Sequence, residues 1–251
     1  MLRIEGVSKS FGGLQALKNV SFTVEKGRIH GIIGPNGSGK TTMFNCITGL
    51  LPLTSGSVFL EDMKISGLSA DRIANLGIRR TFQAGKLVPS LTVLENVMSG
   101  ISQFSREDLR ETFFRLPFRS SSREKALRDE SLEILSSVGM ADSAQRWASD
   151  LVWAERQFVQ IVRAMVSRPK ILLLDEPASG MGPRETDMVG ELIQKIQKMG
   201  ITVVVVSHDM KMLMNVAEYI TVLNFGDKIS EGTPAEVQKD PLVLEAYLGT
   251  E

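Results

Sequence analysis

The chain has 251 residues, a length that permits one large domain or one domain carrying an inserted subdomain. Hydrophobic residues make up 43% and aromatics 6%, enough for an aliphatic core and too many for a disordered chain. Lys plus Arg equals Asp plus Glu at 29 each, so the charge balance argues for no nucleic-acid partner. The single cysteine, Cys46, excludes an internal disulfide and suits a reducing cytosol, and with only His30 and His208 beside it no Cys/His metal cluster can form.

Met1–Gly6 reads as a strand and not as a signal-peptide hydrophobic region. The alternation of Leu2–Ser8 and Val20–Val24, with turn signals at Gly12-Gly13 and Lys26-Gly27, predicts a β-rich opening. Phe11, in the turn region before Gly12, is either a loop aromatic capping the core or a flat face for a purine base. The apolar strand Arg28–Ile33 follows. It runs into Gly34-Pro35-Asn36-Gly37-Ser38-Gly39-Lys40-Thr41-Thr42, and a short helical pattern closed by Gly49 comes next. This stretch fits G-x-x-x-x-G-K-[ST], set between strand and helix where its mechanism requires it. Glycines let the backbone N–H groups of Asn36, Gly37, Ser38, Gly39 and Thr42 turn around a phosphate chain, and the helix N-terminus adds positive potential. Lys40 is placed to reach the terminal phosphates and the Thr41 hydroxyl to ligate Mg²⁺.

Pro52 and Gly56 break the chain before a strand at Ser57–Leu60. Residues 69–76 read as a helix and Ile78–Phe82 as a strand ending at Gln83, with a loop over Ala84–Ser90. Thr92-Val93-Leu94-Glu95 forms a capping box that opens a helix. From Ser99 to about Val138 charge dominates, apolar pairs keep helical spacing, and Ser121-Ser122-Arg123-Glu124 opens a helix through Ser137. With no β pattern there, residues 92–168 read as a helical subdomain inserted into an α/β core formed by 1–91 and 169–251. Trp153–Ser167 is helical up to Pro169. The aliphatic runs Ile171–Leu174 and Ile201–Val206 read as buried parallel strands ending at Asp175-Glu176 and Ser207-His208-Asp209, with a helix over Arg184–Met199 between them. Tyr219–Phe225 and Lys228–Glu231 predict a hairpin, and two capped helices close the chain. No apolar run approaches the ~20 residues of a membrane-spanning helix.

Three strand ends therefore carry polar groups that a doubly wound sheet brings to one crevice. Asp175 suits a Mg²⁺ held through water, and Glu176, one residue on, can point differently and accept a proton from an attacking water. His208 can sense or orient a γ-phosphate. The chemistry is nucleoside triphosphate hydrolysis, in which positioning and electrostatics dominate.

Over essentially its full length the sequence resembles the ATP-binding cassette of ABC transporters. The phosphate loop Gly34–Thr42, the Gln83 loop, the strand into Asp175-Glu176-Pro177 and Ser207-His208-Asp209 stand in the family's order and spacing. The resemblance implies an α/β fold: a P-loop NTPase core of mixed sheet and flanking helices, an N-terminal antiparallel β subdomain and an inserted α-helical subdomain. It implies ATP and Mg²⁺ as ligands, Phe11 as the adenine-stacking ring, and Gln83 as a residue touching both Mg²⁺ and the transmembrane partner. Arg79-Arg80-Thr81-Phe82-Gln83, Leu91–Val97, Gly232-Thr233-Pro234-Ala235-Glu236 and the tail Asp240–Gly249 are similar to the branched-chain amino-acid importer subgroup. The implied role is an ATP-hydrolysing subunit that energises an importer of such amino acids or related small polar solutes. Its implied place is cytoplasmic, on the inner face of the membrane through permease subunits, with a second cassette as partner.

One motif departs from the family. Where it reads Leu-Ser-Gly-Gly-Gln, and the subgroup often Leu-Ala-Tyr-Gly-Gln, this chain has Leu151-Val152-Trp153-Ala154-Glu155. In the family this signature completes the nucleotide site of the opposite cassette. A Cβ at Ala154 can obstruct close backbone approach to phosphate, and Glu155 sets a carboxylate near a polyanion, repelling it unless paired. Gly182 likewise stands where many cassettes have Asp. The expectation is asymmetry: in a heterodimer the site built on this chain's Lys40 hydrolyses ATP and the other is slow, whereas a homodimer has two impaired sites. The alternative is a nucleotide-binding structural or regulatory cassette with little turnover. A cassette of DNA repair or translation is disfavoured by the lack of a second cassette, a coiled-coil insertion or net basic charge.

Overall fold

The computed structural model describes residues 1–81, 87–100 and 122–248, of which 122–124 and 248 by backbone alone. Contacts divide the chain into one unit of Met1–Gln83 with Lys170–Glu251 and a second of Ala84–Pro169.

The first unit opens on β1 (Leu2–Phe11) and β2 (Leu14–Val24), an antiparallel pair turned at Gly12-Gly13. β1 also pairs antiparallel with β4 (Ser55–Leu60), and β4 with the two-residue β5 (Met63–Lys64), giving the order β2-β1-β4-β5. β1 runs on to Phe11, so this residue ends a strand and does not sit in the turn. The second sheet is built from β3 (Ile29–Ile33), β6 (Ile78–Arg80), β7 (Ile171–Asp175), β8 (Thr202–Val206), β9 (Tyr219–Asn224) and β10 (Asp227–Gly232). Its order is β10-β9-β3-β8-β7-β6, parallel throughout except at the antiparallel edge β10. Every residue of β3, β7 and β8 is buried, which is why these strands read as unbroken aliphatic runs and not as alternating ones.

Helix α1 (Lys40–Ile47) lies in a core shared by both sheets: Met43, Phe44 and Ile47 join Leu2, Ile4, Phe22 and Val58 on one side and Ile32, Leu173 and Val204 on the other. Truncating one of these, as in Leu173→Ala, costs about 2–5 kcal/mol by lost transfer and cavity terms. The short α2 (Ala70–Asn75) leads into β6.

In the second unit, α3 (Val93–Met98) starts on the expected capping box: Thr92 Oγ1 accepts from the Glu95 N–H and Glu95 Oε2 accepts from the Thr92 N–H. It packs with α4 (Ser122–Ser137) and α5 (Trp153–Met165). The helical reading of residues 101–121 lies outside the described residues.

Back in the first unit, α6 (Pro183–Lys198) buries Val189, Leu192, Ile193 and Ile196, a stripe at helical spacing. Helix α7 (Met210–Val216) follows β8, α8 (Pro234–Val237) follows β10, and α9 (Pro241–Leu248) ends the described chain. Among the described residues no helix is long and apolar enough to cross a membrane.

Candidate active site

Strands β3, β8 and β7 are neighbours and run parallel, so their C-terminal ends share one edge of the sheet. The chain leaves those ends as the Gly34–Lys40 loop, as Ser207-His208 and as Glu176. Adjacency of the strands is what brings Lys40, His208 and the two carboxylates together.

The loop is fixed by steric need as well as by sequence. A Cβ on Gly34 would stand 2.0 Å from the Leu223 carbonyl oxygen, and one on Gly39, which holds φ 105, would stand 2.7 Å from that of Ala16. Only glycine fits either place. The Ser38 carbonyl accepts from the Gly226 N–H at 3.1 Å and the Gly226 carbonyl from the Lys18 N–H at 2.8 Å, so the β9–β10 turn braces the loop. Asn36 and Gly37 are exposed at its crest and Ser38 is buried. Lys40 folds its ammonium back on the loop, donating to the carbonyls of Gly34 at 2.6 Å and Pro35 at 2.9 Å. Burial pushes this ammonium below its ordinary range, opposed by the charges of Glu176 and Asp175. Thr41 is exposed and Thr42 half-buried on the first turn of α1, whose N-terminal N–H groups lack a side-chain cap.

Asp175 closes β7 with its side chain almost wholly buried. Its Oδ2 accepts from Arg80 Nη2 at 2.6 Å, and its Oδ1 is buried with no hydrogen-bond partner among the described residues. An orphaned carboxylate oxygen on Asp175, close enough to act on Lys40, and an exposed hydroxyl on Thr41, the residue after it, are hard oxygen donors of the kind that suits Mg²⁺. Glu176 sits at φ 49, a left-handed conformation costing about 1–3 kcal/mol for a non-glycine residue, and its N–H donates to the Val206 carbonyl at 2.8 Å. That turn separates the two carboxylates. Glu176 Oε2 lies 2.8 Å from His208 Nδ1 and accepts from the His208 N–H at 3.3 Å and the Ser207 hydroxyl at 3.4 Å.

Phe11 is 46% exposed, so it does not cap the core; Lys9 Nζ lies 4.9 Å from its ring centroid. Gln83 lies outside the described residues. The altered signature belongs to the second unit, at the start of α5. Val152 and Trp153 are exposed and Ala154 is 7% exposed, its methyl packed into the unit. Glu155 is bound by both arms of Arg146, at 2.6 and 3.1 Å, and accepts from the Val152 N–H at 3.0 Å. The Arg146 guanidinium holds the Glu155 carboxyl below the usual carboxylate range. The repulsion expected of an unpaired Glu155 is thus countered within its own unit.

Arg80, Arg146 and Tyr247 also contribute; Arg80 and Tyr247 lie in stretches that carry the subgroup resemblance, but nothing in the sequence assigns any of the three a role at the site. The Tyr247 hydroxyl, on α9, is buried against the Gly34 backbone, and burial pushes it up to about 12. No short motif marks a residue that reaches its site from across the fold.

The ABC transporter family model matches residues 17–179, and a model of branched-chain amino acid ATP-binding cassette transporters matches 228–251. The high-affinity branched-chain amino acid transport ATP-binding protein LivG of Salmonella typhimurium is 38% identical over 250 residues, covering 99% of this chain and 98% of that protein. An ABC transporter cassette solved in its ADP conformation is 31% identical, with a TM-score of 0.87 over 99% of this chain and 98% of that one. A dimeric cassette in a post-hydrolysis state bound to ADP and Pi is 30% identical, with a TM-score of 0.73 over 93% of this chain and 99% of that one.

Proposed function

The chain belongs to the ABC transporter family as an ATP-binding cassette, and from that premise we propose that it hydrolyses ATP to drive a membrane importer of branched-chain amino acids. The full-length likeness to an ATP-binding protein of that transport supports the cargo class. The contact that carries the hydrolytic reading is Glu176 against His208 at the mouth of the phosphate loop.

In this reading the phosphates of ATP lie along Asn36–Thr42, where inward N–H groups and the start of α1 supply positive potential. Lys40 leaves the Gly34 and Pro35 carbonyls for the terminal phosphates. Phe11 offers its exposed ring to the adenine. The Thr41 hydroxyl, Gln83 and, through water, Asp175 Oδ1 would hold Mg²⁺, which would neutralise phosphate charge. Glu176 takes a proton from the attacking water as its oxygen bonds to the γ-phosphorus and the β–γ bridge breaks, giving ADP and phosphate. His208 orients the Glu176 carboxylate and reaches the γ-phosphate.

Val152, Ala154 and Glu155 complete the site of an opposing cassette. We infer a heterodimer in which the site on this chain's loop turns over and the one using its signature is slower, because exposed Val152 lacks the hydroxyl of the family's Ser, while Ala154 is buried and Glu155 is paired with Arg146. The pair works from the cytoplasmic face, held to the membrane by permease subunits that sense the Gln83 loop. The test is reconstitution with its permeases, partner cassette and binding protein in proteoliposomes. ATP-dependent uptake of radiolabelled leucine, lost in Glu176→Gln, is expected. Uptake indifferent to Glu176→Gln, or a complex that consumes ATP without moving any branched-chain amino acid, would overturn the corresponding half of the proposal.

A further inference from the structure

Arg80 ends β6, the edge strand beside β7, and its side chain is almost wholly buried. Its guanidinium donates through Nη1 to Asn45 Oδ1 and through Nη2 to Asp175 Oδ2, both at 2.6 Å, and lies 5.5 Å from the centre of the Phe44 ring. Asn45 and Phe44 belong to α1, the helix that begins in the phosphate loop. One planar cation therefore ties the loop's helix, the strand bearing Asp175 and the strand that leads toward Gln83. An ion pair taken out of water gains little stability over an apolar filling of the same volume, so its place here calls for another explanation.

The two oxygens of Asp175 supply it. Oδ2 is occupied by Arg80, while Oδ1 is buried with no partner among the described residues. The Asp175 N–H donates to Thr81 Oγ1 at 3.4 Å, so backbone and side chain are both held from β6 and the residue after it. A carboxylate bonded at one oxygen has its rotation fixed, and the other oxygen is aimed. We propose that Arg80 is a positioning residue for the cation that accompanies ATP: by gripping Oδ2 of Asp175 and the amide of Asn45, it presents Oδ1 to Mg²⁺ in register with the phosphate loop. This rests on the reading of Asp175 as a Mg²⁺ ligand. Lysine cannot replace it, since an ammonium is a point charge without the fork that spans Asn45 and Asp175 together.

The test compares the intact chain with Arg80→Lys, Arg80→Gln, Asn45→Ala and Asp175→Asn, using a fluorescent ATP analogue. Binding is measured in EDTA and then along a Mg²⁺ titration, and thermal unfolding verifies the fold of each variant. Arg80→Lys is expected to raise the half-saturating Mg²⁺ concentration by about 10-fold or more, within the range seen when a ligand's outer partner is removed. Asn45→Ala should shift it in the same direction by less. Mg²⁺-free analogue binding should stay within about twofold in both. A purely structural pair would lower binding equally with and without Mg²⁺, and that result overturns the proposal. An Arg80→Lys midpoint that is unchanged or lower, while Asp175→Asn raises it, also overturns it and leaves the Asp175 reading standing. A midpoint unmoved in Asp175→Asn removes that reading and this proposal with it. Arg80→Gln extends the comparison to a variant without charge, and if it fails to fold Arg80→Lys decides alone.

Discussion

Glu176 reaches its place through a backbone conformation that side chains avoid, and its Oε2 gathers contacts from the His208 ring, the His208 N–H and the Ser207 hydroxyl. Strain held by so many contacts at a strand end is the expected mark of a group fixed for chemistry. Glu176→Gln keeps size and most contacts but removes the proton acceptor. Single-turnover hydrolysis should fall by about 10²–10⁴-fold, with ATP-analogue binding within about threefold, as rapid quench and fluorescence titration would measure. His30 shows a different residue-scale effect. It is buried, stacks on Phe22 at 5.4 Å, bonds to Thr221 at 3.0 Å, and burial lowers its pKa to about 4. The folded state refuses a proton that the unfolded chain takes near pH 6.5, so stability is full above that pH and is lost as pH falls toward 4. The loss by pH 5 amounts to about 2 kcal/mol. Urea unfolding at pH 7 and pH 5 should show His30→Phe with a flatter acid dependence by about that amount.

The start of α5 is where this chain is proposed to meet another cassette. Arg146 and Glu155 are both partly exposed, so their pairing adds only about 0–1 kcal/mol to stability and Arg146→Ala should unfold within a few degrees of the parent. What it should change is the field at the signature. With Glu155 unmasked, turnover at the site that this signature completes should fall about tenfold in the mixed dimer, a change that added salt should reduce. Elements around the active site were legible where one pattern dominates. Ile29–Ile33, Ile171–Asp175 and Thr202–Val206 are aliphatic throughout because both faces are covered, and Thr92 with Glu95 announces α3. Helix α7 has no counterpart among the elements expected from sequence, although the Asp209 side chain accepts from the Met212 N–H as a cap. Its seven residues follow a strand end whose polar groups drew the functional reading, and two turns are too short for a clear period. The glycines after Phe11 place it in the turn on sequence grounds, yet pairing with Leu14 carries the strand to that point. The ties of Arg80 to Asn45 and Asp175 and of Arg146 to Glu155 depend on which strands and helices become neighbours, and no local pattern contains that.

At the scale of the whole molecule, the first unit holds a phosphate loop, its carboxylates and His208, while the altered signature stands on the second unit. With Glu155 paired to Arg146 and Ala154 buried, the altered feature left facing outward is Val152, which lacks the hydroxyl of the family's Ser; this chain is proposed to carry a competent loop and to offer its partner a weaker contribution. Purified alone at concentrations that favour self-association, it should bind ATP yet turn over slowly; with its partner cassette, turnover per loop of this chain should rise by about tenfold or more. Brisk turnover by the lone chain would remove the asymmetry and leave the ATPase reading intact. The most direct measurement of the central claim is steady-state release of phosphate by the complete importer complex, comparing the parent with Glu176→Gln in this chain while the partner cassette is unchanged. Loss of most of the turnover, with nucleotide binding preserved, is expected. Turnover that persists at the parent rate would contradict it, because ATP would then be hydrolysed without the site this chain builds.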